Sequence, residues 1–170
     1  GSSGKEEVRP AANEVAQQRD DRPAPRPYSL YLGSFSTPEQ ARKALSIHQR
    51  EDFPAYAVRM DFGDKGVWYR IFMGHFQTRE EAEGFVAKHK IQGVEVKETK
   101  YAVRLGTFVA DEAVQAKKTS LSTLGFFPYT IREADGRVSL YTGAFLRKED
   151  AEKEWQDLKV KGIQAEPVER

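Results

Sequence analysis

Two groups of side chains carry most of the chemistry that this 170-residue chain offers. One is Tyr31, Arg59, Trp68, Arg70 and Phe72; the other is Arg104, Thr130, Arg132, Ser139 and Tyr141. Aromatic rings present flat faces to planar or ring-shaped ligands. Arginine adds an always-charged planar fork that grips carboxylates and phosphates. Groups for bond-breaking chemistry are not assembled in the same way. There is no Gly-x-Ser-x-Gly, no phosphate-binding loop and no metal cluster, and the absence of cysteine excludes disulfides and thiolate metal sites. Glu80 and Glu81 are adjacent and read as first-turn helix residues, whereas a glycosidase pair must face each other across a cleft. His48 and His89 each lie fifteen residues after a repeated glycine, where a later copy has Leu158, so both read as packing residues. His75 stands alone in a predicted loop. The pattern points to a binding protein, not an enzyme, that needs no cofactor or metal.

A repeated phrase positions those side chains. YSLYLGSF (28–35), YRIFMGHF (69–76), YAVRLGTF (101–108) and VSLYTGAF (138–145) each alternate apolar and polar residues and end in Gly-x-Phe. Successive glycines are 41, 32 and 37 residues apart, but every second one is 73 or 69 apart, so the structural unit is a pair of copies. Residues 28–98 and 99–170 are the two expected domains. Before them, Gly-Ser-Ser-Gly reads as an expression scar, and the proline-rich remainder of 1–27 reads as a disordered linker. Within each unit the period switches from two to helical and back. Ser36–Glu39 and Thr78–Glu81 read as capping boxes opening helices, and Ala-Asp-Gly-Arg (134–137) reads as a tight hairpin. The predicted fold is α+β: two tandem βαββαβ, ferredoxin-like (RNP-like) domains, each a four-stranded antiparallel sheet with both helices on one face. The repeated phrase is the strand entering each helix, with a glycine for the turn and a phenylalanine to anchor the helix. About three residues, Glu98 to Lys100, are left to join the units.

Helices on one face leave the other face of each sheet open. Tyr28, Leu30 and Leu32 share the parity that belongs beneath the helices, and the two groups named above take the opposite parity. Large rings at such positions mark contacts of some kind. They form a ligand platform, or they pack against the other unit, the linker or a neighbouring molecule. Sugars and single-stranded RNA both suit an open aromatic sheet, and charge separates them. Residues 28–98 carry ten basic and ten acidic side chains and residues 99–170 carry twelve and eleven. Phosphate recognition requires a cationic excess, so sugar is favoured over RNA. A protein-interaction module using the same face is the remaining alternative. No apolar run approaches the length of a membrane span, so no membrane contact is expected from this segment.

The repeated phrase also resembles a known family. YSLYLGSF and YAVRLGTF are similar to the opening strand of the SPOR (sporulation-related repeat) domain, Tyr-x-Val-Gln-x-Gly-Ser-Phe. YRIFMGHF followed by TREEAE is similar to that family's second half. The resemblance covers two tandem copies, about 28–98 and 101–168. It implies binding to septal peptidoglycan, specifically glycan strands stripped of stem peptides, in the bacterial periplasm or envelope. It also implies division or wall-remodelling proteins as companions and a membrane anchor elsewhere in the full-length protein. The implied glycan-binding set is Tyr31, Ser34, Arg59, Trp68, Arg70 and Phe72 in the first unit and Arg104, Thr107, Arg132 and Tyr141 in the second. The sequence departs from the pattern where the first-strand glutamine is replaced by Tyr31 and Arg104, and where the proline after the second glycine is replaced by His75 and Ala144. Near-neutral charge generates a first prediction. Fluorescence anisotropy at physiological salt should detect negligible affinity for single-stranded RNA, and submicromolar, salt-sensitive binding would overturn the preference for sugar.

Overall fold

The computed structural model describes residues 25–49 and 53–170, so most of the expected linker, residues 1–24, lies outside the described residues. The first repeat runs β1 (Tyr28–Phe35), α1 (Pro38–His48), β2 (Ala55–Asp61), a 3-10 turn (Gly63–Lys65), β3 (Val67–Phe76), α2 (Arg79–His89) and β4 (Glu95–Glu98). The second runs β5 (Tyr101–Phe108), α3 (Asp111–Thr123), β6 (Pro128–Arg132), β7 (Val138–Phe145), α4 (Lys148–Val160) and β8 (Glu166–Glu169). Each repeat forms one four-stranded antiparallel sheet, ordered β2-β3-β1-β4 and β6-β7-β5-β8. These are the two ferredoxin-like units that the sequence predicts.

Local chemistry sets the helix starts. Thr78 caps α2 as expected, accepting from the Glu81 amide at 3.0 Å. In α1 the cap is Thr37, one residue later than expected, with Pro38 in the first turn and the Gln40 amide donating to Thr37 Oγ1 at 3.2 Å. Gln40 also accepts from the amide of Ser36, the residue before the cap, at 3.2 Å, which ties down the chain entering the helix without forming a capping box. Two of the four edge strands, β4 and β8, also start later than the apolar pattern suggests.

Beneath the helices of the first unit lie Leu30, Ala41, Ala44, Ala57, Tyr69, Ile71, Met73, Phe76 and Ala82. The main cluster of the second unit is different in kind. It joins Val103, Leu105, Leu140 and Leu158 to Tyr56, Val58, Met60 and Phe72 of the first unit. The hydrophobic core therefore does not stop at the domain boundary.

The Gly-x-Phe endings lie inside strands and are not turns. Gly74 and Gly143 have φ of 75° and 77°, and the phenylalanine two residues on folds its ring back over the glycine. A Cβ at Gly143 would meet Phe145 at 2.2 Å, and one at Gly74 would meet Phe76 at 2.7 Å. Both the backbone and the ring therefore demand glycine. Gly143→Ala should lower stability by about 2–4 kcal/mol, from left-handed strain plus overpacking. Urea melts of the variant measure this, and a loss below about 0.5 kcal/mol would contradict it.

Candidate functional site

Strand register decides which side chains share a face, because directly opposed residues of an antiparallel pair point the same way. In the first sheet Tyr31 opposes Phe72, Ser34 opposes Arg70, and Tyr56, Val58 and Met60 oppose Phe72, Arg70 and Trp68. These residues line the face away from the helices. Arg59 opposes Tyr69, and Arg132 opposes Val138, so both belong to the helix-covered side. Their expected place on the open face is corrected. Arg59 reaches Asp157 of α4 at 3.3 Å and Arg132 reaches Asp111 of α3 at 3.2 Å. Thr130, opposite Leu140, is displaced in the same way.

Large parts of the two open faces are turned on one another. Tyr56 and Tyr129, equivalent residues of the two units, approach with ring centroids 4.2 Å apart. Phe72 stacks behind Tyr56 at 5.6 Å, and Tyr141 stacks behind Tyr129 at 5.7 Å. Phe72 is 1% exposed and Tyr141 2% exposed, so neither is the solvent-facing ring that the alternation predicts. Ser139 is likewise buried. The reading in which these rings pack against the other unit is the one that holds for them.

A buried arginine closes this seam. Arg170, 3% exposed, donates to the Thr99 carbonyl at 3.1 Å, to Thr99 Oγ1, to Ser29 Oγ at 3.4 Å and to Nδ1 of His75. Its guanidinium carbon lies 5.6 Å from the Tyr56 ring centroid and 5.9 Å from that of Tyr129. No Asp or Glu side chain among the described residues pairs with it. Because guanidinium can only donate, His75 must accept at Nδ1 and carry its proton on Nε2, which is buried without a partner. His75, expected alone in a loop, sits in β3 with its ring stacked 4.8 Å from Tyr56 and 5.5 Å from Tyr129. Burial pushes its pKa well below the ordinary imidazole value, and the Arg170 and Arg26 charges act in the same direction. Tyr129 donates to the Gly143 carbonyl at 2.5 Å, while Tyr56 reaches the Gly74 carbonyl through Ser29.

The connections between units are equally occupied. Thr99, expected to be free, is buried, and its amide donates to the Pro27 carbonyl at 2.6 Å. Arg26, at the end of the expected linker, pairs with Glu133 at 2.9 Å. Around the outer end of β2, Asp61 pairs with Lys153 at 3.4 Å, beside the Arg59–Asp157 pair. Glu154 of α4 is buried among these groups, and burial raises its pKa to about 7, against the opposing pull of Thr142 and Arg59.

What stays open is one end of the first sheet. Trp68 is 39% exposed, with its indole N–H 3.4 Å from the Lys65 carbonyl. Arg70 lies 5.7 Å from the exposed ring of Phe62, Lys97 lies 5.4 Å from the Tyr31 ring, and the Tyr31 and Ser34 hydroxyls are bonded to each other. Tyr31, Ser34, Arg70 and Trp68 therefore form a strip of rings, hydroxyls and cations. In the second unit Arg104, paired with Glu166, and the exposed Thr107 reach solvent from the expected set, as does Arg132, but from the helix-covered side of the sheet. Tyr56, Tyr129 and Arg170 were missed as members of the central cluster. The sole signal for the two tyrosines is their equivalent place in the repeat.

The SPOR domain model matches residues 24–96 and 97–169. The chain belongs to the SPOR domain family, in two tandem copies. No curated protein and no solved structure matches it. SPOR is a peptidoglycan-binding family found in envelope and division-site proteins, not a catalytic one. Among the described residues of this SPOR chain, no group of three His, Asp or Glu could hold a metal ion. None of its described helices is long and apolar enough to cross a membrane.

The seam carries two buried groups with opposite pH responses. Glu154 has a raised folded pKa, so its neutral form stabilises the protein at low pH and stability falls as pH climbs from 4.5 to about 7. His75 has a depressed folded pKa, so stability falls as pH drops below its unfolded value of 6.5. Between pH 4.5 and 6.5 the two act in opposite directions. Glu154→Gln should therefore be destabilised as pH falls below 6.5, and His75→Gln should be destabilised as pH rises from 4.5 to about 7, the latter by on the order of 1–3 kcal/mol. Denaturant melts across pH test this. Parallel pH profiles for the two variants would contradict it.

Proposed function

We propose that this tandem SPOR chain is a non-catalytic module that binds glycan strands of septal peptidoglycan, stripped of stem peptides. It would thereby hold a periplasmic or envelope protein at the division site. The observation that carries this reading is the strip left uncovered at one end of the first sheet. Trp68 and Tyr31 offer ring faces to sugar rings, and the Ser34 hydroxyl can bond sugar hydroxyls. Arg70 can meet the lactyl carboxylates of muramic acid with charge-assisted hydrogen bonds, beside Lys97, which pairs with Glu95 at 3.6 Å. Both opening strands keep a hydroxyl after the glycine, as Ser34 and Thr107, but only the first has an aromatic platform that solvent reaches. The first unit is therefore the principal glycan binder, and the second supports it through the seam.

Purified wall sacculi, treated with amidase to remove stem peptides, supply the test. Trp68→Ala combined with Arg70→Ala should weaken binding by about 1–3 kcal/mol while the circular dichroism spectrum stays unchanged. Undiminished binding by the folded double variant would remove the strip from the site.

A further inference from the structure

Away from the strip, an open cleft in the second unit has a volume of about 850 Å³. It runs between the outer end of β5, the last turns of α4 and the loop leading to β8, not across the sheet face. Its size is in the range of small-molecule sites. We propose that this cleft is a second saccharide site, taking a sugar ring that carries a carboxylate.

Three features point to that chemistry. Trp155 forms an apolar wall as a half-buried indole, the shape that packs against the C–H face of a sugar ring. Lys159 stands at the same wall, its ammonium 5.1 Å from the Trp155 ring centroid, and no carboxylate among the described residues pairs with it. It is a cation left for an incoming anion, whereas Arg104 at the opposite side is neutralised by Glu166. Finally, β8 pairs with β5 only from Tyr101 to Arg104. Beyond Arg104 the backbone edge of β5 has no strand neighbour on that side, so its amides and carbonyls, with the Thr107 hydroxyl, can bond a ligand's hydroxyl groups. The first unit lacks this wall, because Val86 occupies the place equivalent to Trp155. The inference rests on the reading that the chain meets wall glycan, and it adds a site of a different position and composition.

Trp68 and Trp155 are the two tryptophans of the chain, one in each site. In the Trp68→Phe chain, emission reports on the cleft alone. Titration with the N-acetylglucosamine–N-acetylmuramic acid disaccharide should give a saturable change in Trp155 emission. The analogue without the lactyl group, chitobiose, should bind roughly tenfold more weakly, and Lys159→Gln should erase that preference. No saturable response, or an equal response to the two sugars, overturns the proposal. The Trp155→Phe chain, with Trp68 as reporter and long denuded strands as ligand, tests the first unit separately. Silence there beside a saturable Trp155 response counts against the strip and supports the cleft.

Discussion

A guanidinium buried without a carboxylate is costly unless every donor finds a partner. Arg170 meets most of that demand from both units at once: Thr99 at their junction, Ser29 and His75 in the first sheet, and two tyrosine rings, one from each repeat. The rest of the arrangement depends on it. If the units separated, Arg170 would lose its first-unit partners, and the faces of Tyr56, Phe72, Tyr129 and Tyr141 would be exposed to water. Burial of those rings supplies the drive, and the arginine supplies the register in which they meet.

The seam also divides the work between the repeats. Two copies of one fold begin with two equivalent open faces, but packing face against face covers the centre of both. The first sheet keeps one end free because Trp68, Arg70 and the β1 hydroxyls lie away from the contact. The second sheet keeps almost none of its face, since every residue of β7 is buried. Ligand access on the second unit therefore moves from its sheet face to its edge, where Trp155 and Lys159 stand.

Much of this was legible in the sequence. The four-fold phrase determined the repeat, the strand–helix order and the two sheets, because apolar alternation and cap chemistry are local. Orientation of the second strand of each unit was not legible. Tyr56, Val58 and Met60 alternate with Ala57, Arg59 and Asp61, and a solvated open face with Arg59 on it requires the apolar set to lie on the helix side. Once the seam buries the other face too, both sides of β2 carry apolar residues, and period-two alternation no longer tells them apart. The same assumption placed Arg59 and Arg132 toward ligand when they face helices. His75 and Thr99 were misread for a related reason: a polar residue at a predicted loop looks solvated until a distant arginine arrives to bond it. Trp155 lies on α4, and its role as a cleft wall depends on where β8 stops pairing, which the apolar pattern does not encode.

The central claim is that the two SPOR units form one body closed through Arg170 and the facing rings. Amide nitrogen relaxation in solution measures it most directly, through the rotational correlation time of each unit. The account predicts one shared correlation time, that of a rigid body containing both sheets. Shorter and independent correlation times for residues 28–98 and 101–169 would contradict it.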